Sequence, residues 1–305
     1  NIYCRRTALV MSATPPSSIS SKLAFLTQKL GLGGRSSRQI LERAAKLRLP
    51  FEPLSTAAQS IWWHAGTRLQ DLSTLPRSAL SGPVQDDKAA AHAVLVQLIE
   101  QHKQQIASFD LRKIDGLAGG KGNPACVSLE DYLAGLEQRQ VRIISYKDFI
   151  KAISLALPGF LGGQRIDLMQ ANWYGERFFW DGERNIEAFA SAIVYARRRE
   201  IEVSLPAELT TYVVSPRGLK KLDSKYHTLA MPAQAWSHPG FMGLLVKNGI
   251  PYARLNLKTN SPTAEFLMLP KHNADAVALG EGLVLAGAPD VSAFLHQLMV
   301  SNGKI

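Results

Sequence analysis

The chain has 305 residues, of which 46% are apolar and 20% charged, with a net charge of +10. That length can bury a sizeable core in one large domain or two ordinary ones, and the composition is that of a globular protein. No apolar run approaches the ~18 residues of a membrane-spanning helix, and two cysteines, Cys4 and Cys126, are too few for a disulfide framework and lack metal-ligand spacing.

The basic charge is concentrated in an arm. Residues 1–50 hold nine Lys/Arg and one acid, whereas residues 51–305 hold 26 Lys/Arg and 24 acids. A nearly neutral body does not carry the field that captures a polyanion. Residues 1–21 read as disordered, with Met11 as an alternative start. Lys22–Leu30 reads as a helix, and Ser36 with Gln39 reads as a capping box for a second, Ser37–Leu49, stopped by Pro50. This basic helical arm, residues 1–49, has three readings: a helix pair packed on the body, a contact for an anionic membrane, nucleic acid or partner, or an organelle transit peptide. The expected location is the cytoplasm, or an organelle matrix if the arm is a transit peptide.

Residues 50–84 form an irregular connector containing Pro50, Pro53, Pro76 and Pro83, with Trp62 and Trp63 expected to anchor it. A single body follows over 85–305. Asp86 is expected to start a helix to Ser108, followed by a strand over Phe109–Asp115 and a glycine loop, Gly116–Pro124. Ser128 and Asp131 open a helix to Gln138, Val141–Ser145 reads as a strand, and Ser145 with Asp148 caps a helix to Leu157. A strand over Arg165–Ala171, an Asn185-capped helix to Arg199 and a strand over Glu200–Leu205 complete an alternating order. The fold class is therefore α/β, with a mostly parallel or mixed sheet flanked by helices. After a sub-boundary near residue 206 come a strand over Leu209–Val214, a Ser215-Pro216 helix start leading to about His227, and a Ser237-capped helix. Ile250–Leu257 and Glu265–Leu269 then read as an antiparallel hairpin around Asn260-Ser261-Pro262, before two closing helices.

The densest signal for a site is Asn172–Asn185. Five of the 24 aromatic residues fall within Trp173–Trp180, beside a Gly-Glu-Arg triplet at Gly175–Arg177 that recurs at Gly182–Arg184. Aromatic faces and guanidinium groups grip flat or anionic ligands, and this segment follows a strand end, where open α/β folds bind them. The competing reading is a packed corner. On the first reading Trp173, Tyr174, Arg177, Trp180 and Arg184 bind a small anionic, nucleotide- or sugar-like ligand, with Lys121 as a counter-charge in the glycine loop. That loop matches neither G-x-x-x-x-G-K-[ST] nor G-x-G-x-x-G, so a plain turn is its simpler reading. His227 and Glu265 are the candidate acid/base pair of a transferase or hydrolase, alongside His238 and Asp275. No metal site is indicated, and no cofactor is specified. The alternative function is a non-enzymatic interaction protein that docks through its basic arm.

Overall fold

The computed structural model describes residues 34–120, 122–257 and 264–301. The predicted helix Lys22–Leu30, Lys121 and the Asn260–Pro262 turn lie outside them.

Helix α1, Arg35–Ala44, buries Ser37, Ile40, Leu41 and Ala44 along one stripe. Its N-cap is Gly34 with no side-chain bond, so Ser36 sits inside the helix rather than capping it. The stripe packs on α8, Ala274–Leu285, and Ser37 Oγ donates to Asp275 Oδ1. The two backbones approach closely at Gly282, where a Cβ would lie 2.5 Å from that of Ala44. The described part of the arm is therefore seated on the body.

Residues 45–84 are irregular apart from short 3-10 turns and β1, Leu80–Ser81. Trp62 and Trp63 are buried, and Trp62 bridges Leu117 in parallel, extending a sheet edge.

The expected long helix from Asp86 divides. Helix α2 covers only Gln85–Leu95, and β2 takes Ile99–Asp110. Residues 100–105 are polar and exposed at every position, so neither a helical nor a strand period is visible there. They form a sheet edge, hydrogen-bonded on one side to β6, Ser204–Val214. Strand β6 joins the end of the expected Glu200–Leu205 strand to Leu209–Val214 without a break, while residues 200–203 form no strand. Pro206, which has no N–H to donate, sits where the ladder with β2 shifts register between Ile106 and Phe109.

Strand β3, Ile114–Leu117, leads to α3, Leu129–Ala134, which Ser128 caps and which ends well before Gln138. Val141–Ile144 forms no strand. Its backbone is tied instead to helix α5, Ile186–Arg198, because Glu187 Oε1 accepts from Gln140 N at 2.7 Å and Val141 N at 3.0 Å. Helix α4, Tyr146–Ala156, has the full Ser145/Asp148 capping box. Strands β4, Ile166–Ala171, and β5, Phe178–Trp180, complete a five-stranded mixed sheet of order β2-β6-β4-β5-β3. Asn185 adopts a left-handed conformation and makes no capping bond; its Nδ2 donates to Leu155 O at 2.7 Å.

Helix α6, Pro216–Lys225, is capped by Ser215. Tyr226 and His227 belong not to its end but to β7, Tyr226–Pro232. His238, rather than Ser237, caps α7, Pro239–Lys247, through Nδ1. The hairpin strands β8, Ala253–Asn256, and β9, Ala264–Pro270, join β1 and β7 in an antiparallel sheet of order β1-β8-β9-β7. Helix α9, Val291–Ser301, closes the described chain.

The fold is thus α/β, with one mixed and one antiparallel sheet flanked by helices. Alternation along the strands distributes three cores. Ile166 and Leu168 of β4 face α3, α4 and α5, whereas Met169 and Ala171 face a core shared with Ala230, Phe266 and Met268 of the antiparallel sheet. Leu229, Met231, Leu267 and Leu269 face α1, α7 and α8.

Gly116 of β3 marks a tight crossing. A Cβ there would lie 2.4 Å from the Phe179 ring and 2.6 Å from Ile61 O. Gly116→Ala is expected to lower stability by about 1–3 kcal/mol, the range for overpacking, in urea denaturation.

Candidate functional site

The aromatic segment is built into the core. A 3-10 turn over Asn172–Tyr174 buries both Trp173 and Tyr174. The Tyr174 hydroxyl donates to Trp63 O at 2.9 Å, and burial pushes its pKa up to about 12. Strand β5 then alternates: Phe178 and Trp180 face one core and Phe179 the other. Trp180, only 3% exposed, stacks on Phe189 of α5 with centroids 3.7 Å apart and planes 16° apart. A ring held this way offers no face to a ligand.

Arg177 is likewise occupied. Its guanidinium donates to Ala58 O at 2.6 Å, Ser60 O at 2.9 Å and Asp115 O at 3.4 Å, and lies 5.2 Å from the Phe179 ring centroid. Arg184 is exposed, away from those bonds. The glycine loop before Lys121 packs on the same corner: a Cβ on Gly119 would lie 2.3 Å from Gly182 O, so this stretch is closely packed rather than a bare turn. Trp180→Ala is expected to cost about 3–5 kcal/mol of unfolding free energy, measured by chemical denaturation, because it removes a buried ring and leaves a cavity.

His227 and Glu265 are not brought together. They lie on one face of the antiparallel sheet, with His227 opposite Leu269 and Glu265 opposite Met231. Four residue steps along β9 separate those rungs, a distance of about 13 Å. Glu265, 3% exposed, is gripped by Arg254 in a two-point ion pair, with Nη2 2.8 Å from Oε1. Arg254 in turn sits 4.0 Å from the Trp236 ring centroid. His227 Nε2 is 3.7 Å from Glu281 Oε1. Of the other candidates, His238 is used as a helix cap and Asp275 accepts from Ser37.

Burial, reinforced by Lys271, lowers the His227 pKa from 6.5 to about 4, and burial with Arg68 does the same for His64. In the unfolded chain both imidazoles take a proton near pH 6.5, while the folded protein resists protonation until about pH 4. Stability from this source is therefore complete above pH 6.5 and declines as pH falls toward 4. The His64→Gln/His227→Gln protein is expected to show a shallower decline when urea midpoints are compared across that window.

A contact unseen in the sequence joins α6 to α9. Asp223 accepts from Ser292 Oγ and lies 2.7 Å from His296 Nε2. The carboxylate stands between serine and histidine, whereas nucleophile activation needs the imidazole in the middle, so this is an interhelical clamp. Among the described residues no three His, Cys, Asp or Glu side chains form a metal site, and no helix is long and apolar enough to cross a membrane.

The open candidate lies elsewhere. A cleft of about 350 Å³ separates α5 from the loop before α4. Helix α5 lines it with Ser191, Val194, Tyr195 and Arg198, the i, i+3, i+4, i+7 set of one helical face. Arg139, Val141, Arg142 and Ile143 of the loop line the other side, with Leu133 of α3. The loop is fixed by Glu187 and by Arg139 Nε, which donates to Leu133 O at 2.9 Å. Tyr195 is braced by Phe149, with ring centroids 6.0 Å apart, and Arg199 lies 5.9 Å from its centroid. No lining residue is acidic, and Arg142 and Arg198 form no ion pair among the described residues. Three guanidinium-bearing side chains around an apolar floor suit a phosphate or carboxylate joined to an organic body.

The signal for this cleft was present in the sequence as Arg139-x-x-Arg142 and Arg197-Arg198-Arg199. The arginine triplet serves three purposes. Arg197 turns inward to Arg112 O, Ile114 O and Glu130, Arg198 lines the cleft, and Arg199 covers Tyr195.

A family model spans residues 104–303, from within β2 to the end of α9. The chain belongs to DUF6685, a family of unknown function. No curated protein and no solved structure matches it. The DUF6685 region contains the mixed sheet except for the first residues of β2, and every residue lining the cleft, while α1 and the Trp62-Trp63 segment lie upstream.

Proposed function

We propose that this DUF6685 chain binds a small anionic organic ligand, of the nucleotide or sugar-phosphate kind, in the Arg139–Arg142–Arg198 cleft. The ligand class expected from the sequence is kept, and its position moves from residues 173–184 to the opposite end of α5. One observation carries the reading: three arginines line a single cleft with no lining carboxylate to neutralise them. The volume of about 350 Å³ is at the small end of ligand pockets, and the apolar floor of Val141, Ile143 and Val194 suits a ring or chain attached to the anion. The reading is one of binding in a cytoplasmic protein; with His227 and Glu265 on separate rungs, no reaction is assigned.

Arg142 and Arg198 are exposed, so their removal should leave the fold intact. Thermal-shift titration with inorganic phosphate, citrate and AMP is expected to raise the wild-type Tm by a few degrees at saturating ligand. The Arg142→Ala/Arg198→Ala protein should melt at the wild-type temperature without ligand and lose most of that rise. An unchanged rise in the double variant would overturn the proposal.

A further inference from the structure

Nine large apolar side chains are exposed among the described residues, and four of them fall on α4 or beside its two ends: Ile144 at 65%, Tyr146 at 59%, Leu155 at 42% and Leu161 at 77%. On the outer face of α4, exposed Lys147 and Lys151 continue in helical spacing to Leu155. Residues 139–164 contain four Lys/Arg and one acid, Asp148. That carboxylate is occupied at the helix start, accepting from Ile144 N at 3.2 Å and Ser145 N at 2.9 Å. The segment therefore carries a net positive charge beside exposed apolar and aromatic side chains.

This surface adjoins the cleft. Leu155 O accepts from Asn185 at the start of α5, while Phe149, in the first turn of α4, packs on Tyr195 near the end of α5. The helices therefore run antiparallel, and the Tyr146 end of α4 lies beside Tyr195 and Arg198. Ile143 lines the cleft while its neighbour Ile144 projects to solvent.

We infer that the outer face of α4 seats on an anionic lipid surface, with the arginine cleft opening toward the phosphates of the head-group layer. The head-group contact rests on the cleft reading above; the seating itself rests on α4. Charge complementarity selects the occupant. The α4 lysines lie between apolar side chains at the two ends of the helix, so with α4 lying flat the cations can remain among head groups while Ile144, Tyr146 and Leu161 reach the acyl boundary. Nucleic acid would leave exposed Ile144 and Leu161 without a role.

The test is co-sedimentation of the full chain with vesicles of phosphatidylcholine alone or mixed with phosphatidylserine. Wild type is expected to pellet with the mixed vesicles and not with phosphatidylcholine, and to be released by salt. Lys147→Glu/Lys151→Glu should lower partitioning by at least about fivefold per lysine. Ile144→Ser/Tyr146→Ser/Leu161→Ser should abolish most of it while keeping the phosphate-induced rise in Tm. Equal pelleting with both vesicles, or mixed-vesicle binding unchanged in the triple-serine protein, as when the N-terminal arm does the binding, overturns the inference. Absence of wild-type vesicle binding with the phosphate response intact overturns it too and leaves the cleft standing. Loss of vesicle binding in the α4 variants without any phosphate response supports the seating and removes the cleft reading.

Discussion

Three backbone carbonyls, those of Ala58, Ser60 and Asp115, converge on the guanidinium of Arg177. Two belong to a segment with no long strand or helix to satisfy its backbone, and buried carbonyls left unpaired are costly. The arginine thus lets an irregular chain pass against the mixed sheet. Trp62 can then bridge Leu117, Trp63 can enter the ring cluster with Tyr174 and Phe179, and Gly116 can lie against Phe179. The sheet edge, the aromatic cluster and the start of α5 share this junction.

The electrostatics follow from where the carboxylates are used. Beyond the arm the chain is nearly neutral, yet acids on the three helices that flank the cleft are engaged: Glu187 of α5 accepts backbone amides, Glu130 of α3 holds Arg197 and Asp148 of α4 completes a cap. Arg142 and Arg198 are left with solvent. Average neutrality therefore coexists with a local excess of arginine in the lining of the cleft.

Features that depend on neighbours in sequence were legible there. The Ser145/Asp148 box, the Ser215-Pro216 helix start and the antiparallel pairing of β8 with β9 are local signals, and each appears where it was read. Strand β2 was hidden because an exposed edge needs no apolar period, and β6 looked divided because Pro206 interrupts its pattern but not its course. Asn185 is a preferred cap type used differently, in a left-handed turn. For the site, clustering of aromatic residues is visible in sequence, but burial is not. Trp180 became core because Phe189, nine positions later, folds onto it. The cleft required α5 to meet a loop almost fifty residues earlier, and no local pattern encodes that meeting.

The free side of β2 has a consequence for the protein in a crowded solution. A twelve-residue strand with one unsatisfied margin is a template on which other chains can grow. Here the margin carries Glu100, Gln101, His102, Lys103, Gln104 and Gln105, all hydrated, and an irregular step follows near Ile106. Stacking a second molecule there would strip water from charges and meet a kinked register. Charge and a broken register thus both oppose growth on this open margin.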